Sequence, residues 1–539
     1  MTKRYSFFAV TWILLCIGIF PVQAAEWQWS LPLEEVVSHE TNKNPQAFLW
    51  IPSSCNQIKA VMLGKHNMSE ETLFEHPLFR KEMERLGIAL VWITPGIDTN
   101  WDVTKGTQQV FENMMKGLAE ISGYSELEFA PIVPIGHSAM ATYPWNFAAW
   151  NPERTLGVIS LHGDAPRTNM TGYGGPNIEW GKRTIDGIPG LMIEGEYEWA
   201  EDRVTPALAF RLMYPNSCVS FYCDVEHGHF DVSDELVSYI TLFLEKAIQY
   251  RFPKGNLPLD GTVPLQKLNP RDGWLCARWH PGNDKRISSA PYAKYRGDKH
   301  DAFWYFDEEI AHKTERRYAA SARKREQYIG FVQQGKLLSF NPRSHARISG
   351  RFIPRADGVT FHLQAAYTDT LRRVLSDAHS QTPIRLSRIC GPVEQINDST
   401  FRISFYRMGM DSPKRSNDIW LSAEAKGDKW YKGTVQQFNM KIPYRNTKGK
   451  RQCILFPGLP DVSSETQSLS LSATSDCGLP VFYYVKEGPA EIKDGKLLFT
   501  PIPPRAKYPL KVTVVAWQYG LTDKVQTAEP VERHFYIKK

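Results

Sequence analysis

The sequence predicts an α/β fold, in which a mostly parallel sheet carries helices on both faces and is followed by β-rich accessory domains. Between residues 47 and 253, short continuous apolar runs alternate with amphipathic stretches. This alternation is typical of parallel strands that are buried on both faces. After residue 253 the apolar runs become short and alternating, and Gly, Pro and Asp interrupt them, which indicates antiparallel β structure. A chain of 539 residues is too long for one core and predicts about three domains.

Each element of the first domain is predicted from its own run of residues. The predicted strands are the apolar runs at 47–51, 60–63, 89–93, 130–135, 155–161, 190–194 and 219–225. The predicted helices are the amphipathic segments 72–85, 107–122, 139–150, 206–214 and 232–250. One later segment, 308–334, also has a helical pattern.

The N-terminus predicts export. An apolar run of about 14 residues follows Lys3 and Arg4, and it is too short to span a membrane. Small residues precede a cleavage position after Ala24, so residues 1–24 are predicted to be a cleaved signal peptide. We therefore expect a secreted or periplasmic protein that does not insert into a membrane once the signal is removed.

Composition divides the rest of the chain into three predicted domains: 25–253, 254–460 and 461–539. The segment 254–460 is predicted to be a basic, β-rich middle module with one helical segment. In the last segment, residues 469–499 alternate apolar and polar side chains between tight turns. This pattern resembles the bacterial immunoglobulin-like modules of secreted proteins, which implies a β-sandwich for 461–539.

One predicted strand, at 131–135, runs directly into the sequence G-H-S-A-M at 136–140 and then into a helix. A tight turn in this context lifts a serine hydroxyl above the sheet and aims the following N–H groups at one point. On this motif the chain resembles the serine esterases of the α/β-hydrolase superfamily, over roughly residues 45–252. The resemblance implies that Ser138 is a nucleophile. Met140 departs from the family pattern, which ends in glycine.

The resemblance also implies a general base after the last strand of the sheet. The sequence E-H-G-H-F-D, residues 226–231, follows the predicted strand 219–225. His229 fits this position best, since Gly228 frees the turn. His227 is the alternative base.

A carboxylate after the preceding strand should complete the triad, because it orients the imidazole and stabilises its positive charge. Glu198 falls at the acid position after the run 190–194. Glu196 is the alternative, and Glu201 and Asp202 also lie close by. One sequence does not separate these four acids.

Acyl transfer needs donors for the oxyanion. The resemblance implies that the backbone N–H of Ala139, the residue after the nucleophile, is one of them. The second is expected from the loop after the early strand 60–63, at His66 or Asn67.

The connection 163–187 is expected to overhang the serine and to shape the substrate pocket. Asp164, Tyr173 and Trp180 are the candidate pocket residues. We expect no metal and no cofactor, because the sequence contains neither metal-ligand spacing nor a nucleotide-binding motif.

Charge is distributed unevenly along the chain. Residues 26–253 hold 16 Lys and Arg against 30 Asp and Glu, whereas 254–460 hold 36 against 19. A basic module in an exported protein indicates a polyanionic polysaccharide rather than nucleic acid, or it docks on the acidic domain of its own chain. The sequence therefore predicts a secreted serine esterase that removes acetyl or methyl groups from acidic, pectin-like polysaccharide. The alternatives are a non-catalytic carbohydrate-binding protein on a hydrolase fold and a secreted serine peptidase.

Overall fold

The structure, a computed structural model, describes residues 26–38, 41–170, 176–282, 286–410, 412 and 415–539. The predicted signal peptide lies outside the described residues. Within the described ranges, no helix is both long and apolar enough to cross a membrane.

Eight strands near the N-terminus form one sheet in the order β1-β2-β4-β3-β5-β6-β7-β8. They are β1 (Trp29–Pro32), β2 (Gln46–Trp50), β3 (Ala60–Lys65), β4 (Ile88–Thr94), β5 (Ile132–His137), β6 (Val158–Leu161), β7 (Pro189–Gly195) and β8 (Cys218–Asp224). The first two pairings, β1 with β2 and β2 with β4, are antiparallel, and the remaining pairings are parallel. The predicted mostly parallel sheet is confirmed.

Five helices connect these strands, and a sixth follows β8. They are α1 (Ser69–Phe74), α2 (Pro77–Leu86), α3 (Thr107–Ser122), α4 (Tyr143–Trp150), α5 (Glu201–Met213) and α6 (Asp234–Arg251). The single helix predicted at 72–85 is two helices, because Pro77 cannot continue α1 and instead begins α2.

Residues 270–319 pack against the same sheet. They contain β9 (Trp274–Ala277), β10 (Ala290–Pro291), β11 (Ala302–Tyr305) and α7 (Glu308–Ala319). Ser220 Oγ of β8 donates a hydrogen bond of 2.6 Å to the carbonyl oxygen of Trp304, and the buried side chains of both segments form one hydrophobic cluster. Residues 270–319 therefore share the core of the first sheet, and the domain boundary predicted at residue 253 stays a prediction.

The helix predicted at 308–334 ends at Ala319. Arg323 takes a positive φ of 63°, and the next strand begins at Tyr328. A left-handed residue cannot continue an α-helix, so the second half of the predicted helix is strand instead.

The unit from about residue 320 to 460, here called the middle unit, is antiparallel β structure. Its strands are β12 (Tyr328–Gln333), β13 (Lys336–Leu337), β14 (Thr360–His362), β15 (Gln364–Thr368), β16 (Arg385–Cys390), β17 (Val393–Asn397), β18 (Thr400–Ile403), β19 (Asp418–Ala425), β20 (Thr434–Lys441) and β21 (Ile454–Leu455). It has its own buried cluster, in which Phe331 and Phe438 lie 4.9 Å apart.

The C-terminal unit, residues 461–539, is also β structure. Its strands are β22 (Val462–Ser463), β23 (Ser468–Ser470), β24 (Thr474–Ser475), β25 (Phe482–Glu487), β26 (Ala490–Lys493), β27 (Lys496–Phe499), β28 (Leu510–Trp517) and β29 (Val531–Lys538). They form a four-stranded sheet, β22-β29-β28-β25, and a three-stranded sheet, β23-β27-β26, while β24 pairs with β21. Its immunoglobulin-like character stays a prediction.

Candidate active site

The predicted nucleophile stands at a sharp turn. Strand β5 ends at His137, and Ser138 begins a single 3-10 turn with a positive φ of 51°. A Cβ on Gly136 would lie 1.9 Å from the carbonyl oxygen of Met140, so only glycine permits a turn this tight. Ser138 is partly exposed, although the residues of β5 that precede it are buried.

The side chain of Met140, which departs from the family pattern, packs against a second glycine, Gly96. A Cβ on Gly96 would lie only 2.9 Å from Met140 Cε. The bulky side chain therefore packs beside Gly96, and the turn is not distorted by the loss of the usual glycine.

Three side chains that the sequence singled out meet at this edge of the sheet. Ser138 Oγ lies 2.9 Å from His229 Nε2, and His229 Nδ1 contacts Glu198 Oε2. The Nδ1 atom faces a carboxylate and therefore carries the proton, so Nε2 is free to accept from the serine hydroxyl. The structure thus brings together the members of a serine, histidine and acid series.

The acid of this series is ionised. Burial acts to raise the pKa of Glu198, but the imidazoles of His229 and His162 hold it well below its usual range. The Gly195 N–H also donates to Glu198 Oε1 over 3.0 Å, and Arg203 Nη1 donates to Oε2 over 3.3 Å. A fixed negative charge therefore faces His229.

The alternative base, His227, has a different partner. Its Nδ1 contacts Asp231. Burial acts to lower its pKa, but Asp224 and Asp231 raise the pKa of His227 to about 10. An imidazole that stays protonated at neutral pH cannot serve as a general base.

The alternative acid, Glu196, does not reach the imidazole of His229. Its Oε1 lies 2.6 Å from Lys432 Nζ, and its Oε2 accepts the backbone N–H of Glu226 over 2.9 Å. Glu201, one of the other neighbours, pairs with Arg278. Among these acids with a described partner, Glu198 is the one that contacts the imidazole.

The structure places the predicted oxyanion donors in different surroundings. Ala139 lies at the start of the 3-10 turn, where backbone N–H groups have no acceptor inside the turn. The backbone N–H of His66, however, donates to the carbonyl oxygen of Ile93 over 2.8 Å, as a continuation of the strand pairing. The N–H of Asn67 donates to Glu70 Oε2 over 3.1 Å. Neither predicted second donor is therefore free.

Glu70 ties the loop after β3 to the nucleophile turn. Its Oε2 accepts the N–H groups of Asn67 and Met68, each over 3.1 Å, while its Oε1 accepts the N–H of His137 over 2.7 Å. Burial raises the pKa of Glu70 to about 7, although these hydrogen bonds act in the opposite direction. Sequence reasoning missed this residue, whose position on α1 gives no signal of its role.

His137 supports the base. Its Nε2 lies 2.8 Å from the carbonyl oxygen of His229, and the side-chain amide of Asn67 donates to the carbonyl oxygen of His137 over 2.8 Å. Burial lowers the pKa of His137 well below its usual range, so the ring is neutral. It helps to hold the loop that carries His229.

Two of the three predicted pocket residues, Asp164 and Trp180, are buried side chains. Asp164 is fully buried and accepts a hydrogen bond of 2.6 Å from Thr142 Oγ1. Trp180 is also buried, and its Nε1 donates to Asn146 Oδ1 over 2.7 Å. Both side chains anchor the connection 163–187 to α4 instead of facing a substrate. Tyr173 lies outside the described residues.

The middle unit reaches the catalytic side chains. A hydrophobic cluster joins Met68 and Phe230 of the first unit, residues 26–319, to Trp420 of the middle unit. The rings of Phe230 and Trp420 lie 5.2 Å apart. The exposed ring of His345, on the hairpin 340–348, lies 6.0 Å from the ring of His229. One wall of the site therefore comes from the middle unit.

A second histidine contacts the acid. His162, which follows β6, places Nδ1 2.5 Å from Glu198 Oε1. Ligand atoms of His162, Glu198 and His229 all lie within 4.8 Å of one another, an arrangement that could hold a metal ion. Each carboxylate oxygen already has an imidazole partner, so hydrogen bonds account for the cluster. The sequence analysis missed His162, although its place at the carboxyl end of a strand beside β5 was a usable signal.

The comparisons with known proteins found similar structures but no similar sequence. No family model matches the sequence, and no curated protein matches it. The structure is similar to the fluorophosphonate-binding serine hydrolase FphF of Staphylococcus aureus, at 11% identity and a TM-score of 0.27, over 41% of this chain and 96% of that one. It is also similar to Est1E of Butyrivibrio proteoclasticus, at 14% identity and a TM-score of 0.26, over 38% and 95%. A third similar structure is the poly(3-hydroxybutyrate) depolymerase LpqC of Bordetella parapertussis, at 11% identity and a TM-score of 0.29, over 43% and 92%.

Proposed function

We propose that this chain is a serine esterase, with Ser138 as the nucleophile, His229 as the general base and Glu198 as the acid that orients the base. The observation that carries the proposal is the unbroken hydrogen-bonded series from Ser138 Oγ through His229 to Glu198. A merely structural strand-to-helix turn does not need an imidazole that bridges a serine and an ionised carboxylate. The series therefore supports acyl transfer.

The chemistry follows from the positions of the protons. As Ser138 Oγ attacks the ester carbonyl carbon, His229 Nε2 accepts the hydroxyl proton, and it then donates that proton to the leaving alcohol. Glu198 stabilises the imidazolium that forms between the two steps. The backbone N–H of Ala139 donates to the carbonyl oxygen as it becomes negative. Water then attacks the acyl-enzyme by the same route, releasing the acid and restoring Ser138.

We further propose that the esters are acetyl or methyl groups on an acidic, pectin-like polysaccharide. The surplus of cations in residues 254–460 supports a polyanionic substrate. Part of that surplus is neutralised inside the protein, since Arg407 and Lys432 pair with acids of the first unit. Arg343, on the hairpin beside His229, is exposed, as is Trp430, which keeps 59% of its surface and could stack on a sugar ring.

We also propose that the protein acts outside the cytoplasm, as the predicted signal peptide implies. Expression in a bacterial host followed by cell fractionation should recover the protein in the periplasm or the medium. N-terminal sequencing should then begin at Ala25. A cytoplasmic chain that keeps residues 1–24 would contradict this proposal.

The nucleophile is tested by Ser138→Ala. We expect hydrolysis of an aryl acetate to fall by at least about a thousandfold while the thermal transition is kept. A fluorophosphonate should add one adduct to the wild-type chain and none to the variant, as measured by intact-protein mass spectrometry. A folded variant with wild-type turnover would overturn the proposed function.

The acid is tested by a matched pair, Glu198→Gln and Glu196→Gln. Only Glu198 contacts the imidazole, whereas Glu196 pairs with Lys432. We expect kcat to fall by about 10²- to 10⁴-fold for Glu198→Gln and to change little for Glu196→Gln. The reverse order would transfer the role of acid to Glu196.

The substrate class is tested with a panel of neutral and acidic polysaccharides, each acetylated or methyl-esterified. Released acetate and methanol identify the ester that is cleaved. In parallel, Ser138→Ala protein should bind de-esterified polyuronate at 0.01 M salt and lose affinity by 0.15 M, because the Debye length falls from about 30 to about 8 Å. Release only from neutral polymers, with no polyuronate binding at low salt, would reject an acidic substrate.

A further inference from the structure

We propose that His162 is a positioning residue for the triad acid, in that its Nδ1–H holds one carboxylate oxygen of Glu198 so that the other faces His229. The two oxygens are divided between two imidazoles: Oε1 lies 2.5 Å from His162 Nδ1, and Oε2 contacts His229 Nδ1. This inference rests on the proposed function and deepens it.

The geometry of His162 is specific to this contact. The side chain is 1% exposed, and its backbone, at the end of β6, takes a positive φ of 50°. Non-glycine residues rarely adopt this conformation, and it is typical of sites where the surrounding structure demands it. The fold therefore accepts a strained backbone to place this ring against the acid.

The other ring nitrogen of His162 has no comparable use. Among the described residues, Nε2 is buried without a hydrogen-bond partner. A histidine that served only to fill the core would gain nothing from a polar atom left in this way. The ring acts through Nδ1 alone, as a donor to Glu198.

A glutamate needs such a donor more than an aspartate would. Its side chain has one more rotatable bond, so the carboxylate can turn away from the base. Gly195 N–H at 3.0 Å supports Oε1, and Arg203 Nη1 at 3.3 Å supports Oε2. His162 is the shortest of these three contacts to a carboxylate oxygen. Without it, the orientation of Oε2 toward His229 would be less well defined.

Two substitutions separate the donor from the ring. His162→Asn keeps an N–H donor near the position of Nδ1, whereas His162→Leu fills similar space without a donor. Ser160→Ala, at a fully buried position of β6 two residues before His162, is the matched control, because its hydroxyl donates to the Asp164 carbonyl oxygen and not to the acid. If His162→Leu does not fold, His162→Ser, which is too short to reach Oε1, replaces it.

With an aryl acetate, we expect His162→Leu to lower kcat by about 10- to 100-fold at unchanged KM, the range typical of residues that orient a catalytic group. His162→Asn should recover most of that loss, and Ser160→Ala should retain wild-type kcat.

Two results would overturn the inference. One is a folded Leu variant with wild-type kcat. The other is an equal loss in the Leu and Asn variants that follows a shared loss of thermal stability. Failure of the proposed function is distinct from both, because it would appear as activity in Ser138→Ala.

Discussion

The middle unit and the C-terminal unit are both β structure, yet they attach to the eight-stranded sheet by different means. The middle unit adds buried charge to the small apolar cluster around Phe230 and Trp420: Arg407 Nη1 lies 2.5 Å from Glu75 Oε1, and Arg415 donates over 3.2 Å to the carbonyl oxygen of Asn67. The C-terminal unit joins a large apolar cluster that includes α3 and the core of its own strands β28 and β29. Its Arg505, which reaches Glu126 over 2.8 Å, is 31% exposed.

This difference follows from what each unit touches. The contacts of Arg407 and Arg415 fall at the end of α1 and on the loop after β3, close to the nucleophile turn, where hydrogen bonds and ion pairs specify geometry. The C-terminal unit contacts Ser122 and Gly123, at the end of α3, through Lys507 and Arg505. Apolar burial stabilises without fixing direction. We infer that the middle unit shapes the active site and that the C-terminal unit mainly stabilises the fold.

The largest expected effect is that of Arg407→Leu. Arg407 and Glu71 are each 2% exposed and Glu75 is 3% exposed, so the variant removes the cation that Glu75 contacts and leaves Glu71 with Arg388 alone. We expect the free energy of unfolding to fall by about 3–5 kcal/mol, and kcat to fall as α1 shifts. Denaturant titration and aryl acetate assays measure the two effects.

The control, Arg505→Leu, should lower the free energy of unfolding by only about 1–2 kcal/mol and should leave kcat unchanged. Equal effects of the two substitutions would remove the contrast.

A comparable loss of stability without a catalytic effect is expected from Leu510→Ala. Leu510 is 1% exposed in β28, and its truncation leaves a cavity in the apolar cluster. The free energy of unfolding should fall by about 2–5 kcal/mol. Well below the thermal transition, kcat and KM should match wild type. A changed kcat in the folded variant would show that the C-terminal unit also shapes the site.

The sequence predicted the elements of the first unit well, because buried parallel strands leave long apolar runs. It missed β1, which has four residues, ends in Pro32 and lies at the sheet edge. It also gave no sign that residues 270–319 pack against the sheet. The pairing of Ser220 with the carbonyl oxygen of Trp304 is a contact between distant segments, and no local pattern announces it.

The candidate site was predictable where chain order constrains it. Ser138, Glu198 and His229 each follow a strand, and the carboxyl ends of parallel strands meet at one edge of the sheet. The pocket residue Trp180 was predicted wrongly, because its burial depends on packing against α4, which the sequence does not reveal. The His66 N–H was likewise not predictable, because it donates to the carbonyl oxygen of Ile93 on a neighbouring strand, and the sequence does not reveal which strands are neighbours.

A smaller, pH-dependent effect on stability is expected at Glu70, whose carboxylate accepts N–H groups of the loop after β3. Arg415 of the middle unit donates to a carbonyl oxygen of the same loop. Burial raises the pKa of Glu70 from 4.5 to about 7, so the folded state binds this proton more tightly than the unfolded state does. Its contribution to stability is therefore fully present below about pH 4.5 and declines as the pH rises through 7, by at most about 3 kcal/mol. Glu70→Gln lacks this titration.

The measurement is the free energy of unfolding of wild type and Glu70→Gln from pH 4.5 to pH 8. The free energy of unfolding of wild type should fall relative to that of the variant as the pH rises through 7. A difference that stays constant across this range would mean that Glu70 is already ionised at pH 4.5 in the folded state.

The smallest effect on stability, and the sharpest on selectivity, is expected from His345→Ala. The exposed ring lies 6.0 Å from the ring of His229 and packs at the edge of the rings of Phe230 and Trp420, at 5.0 and 5.7 Å, so its loss removes a polar group from the rim of the site. We expect unchanged unfolding and unchanged kcat/KM on a small aryl acetate, because that substrate does not extend to the middle unit. On an esterified polysaccharide, kcat/KM should fall about fivefold, which corresponds to about 1 kcal/mol for one lost hydrogen bond.

The control is His362→Ala, which removes another exposed histidine of the middle unit, one bonded to the Ser399 carbonyl oxygen over 3.1 Å. If His345→Ala and His362→Ala are indistinguishable on the polymer, the middle unit does not contact the substrate through this hairpin, and its ion pairs serve only to fix the loops beneath it.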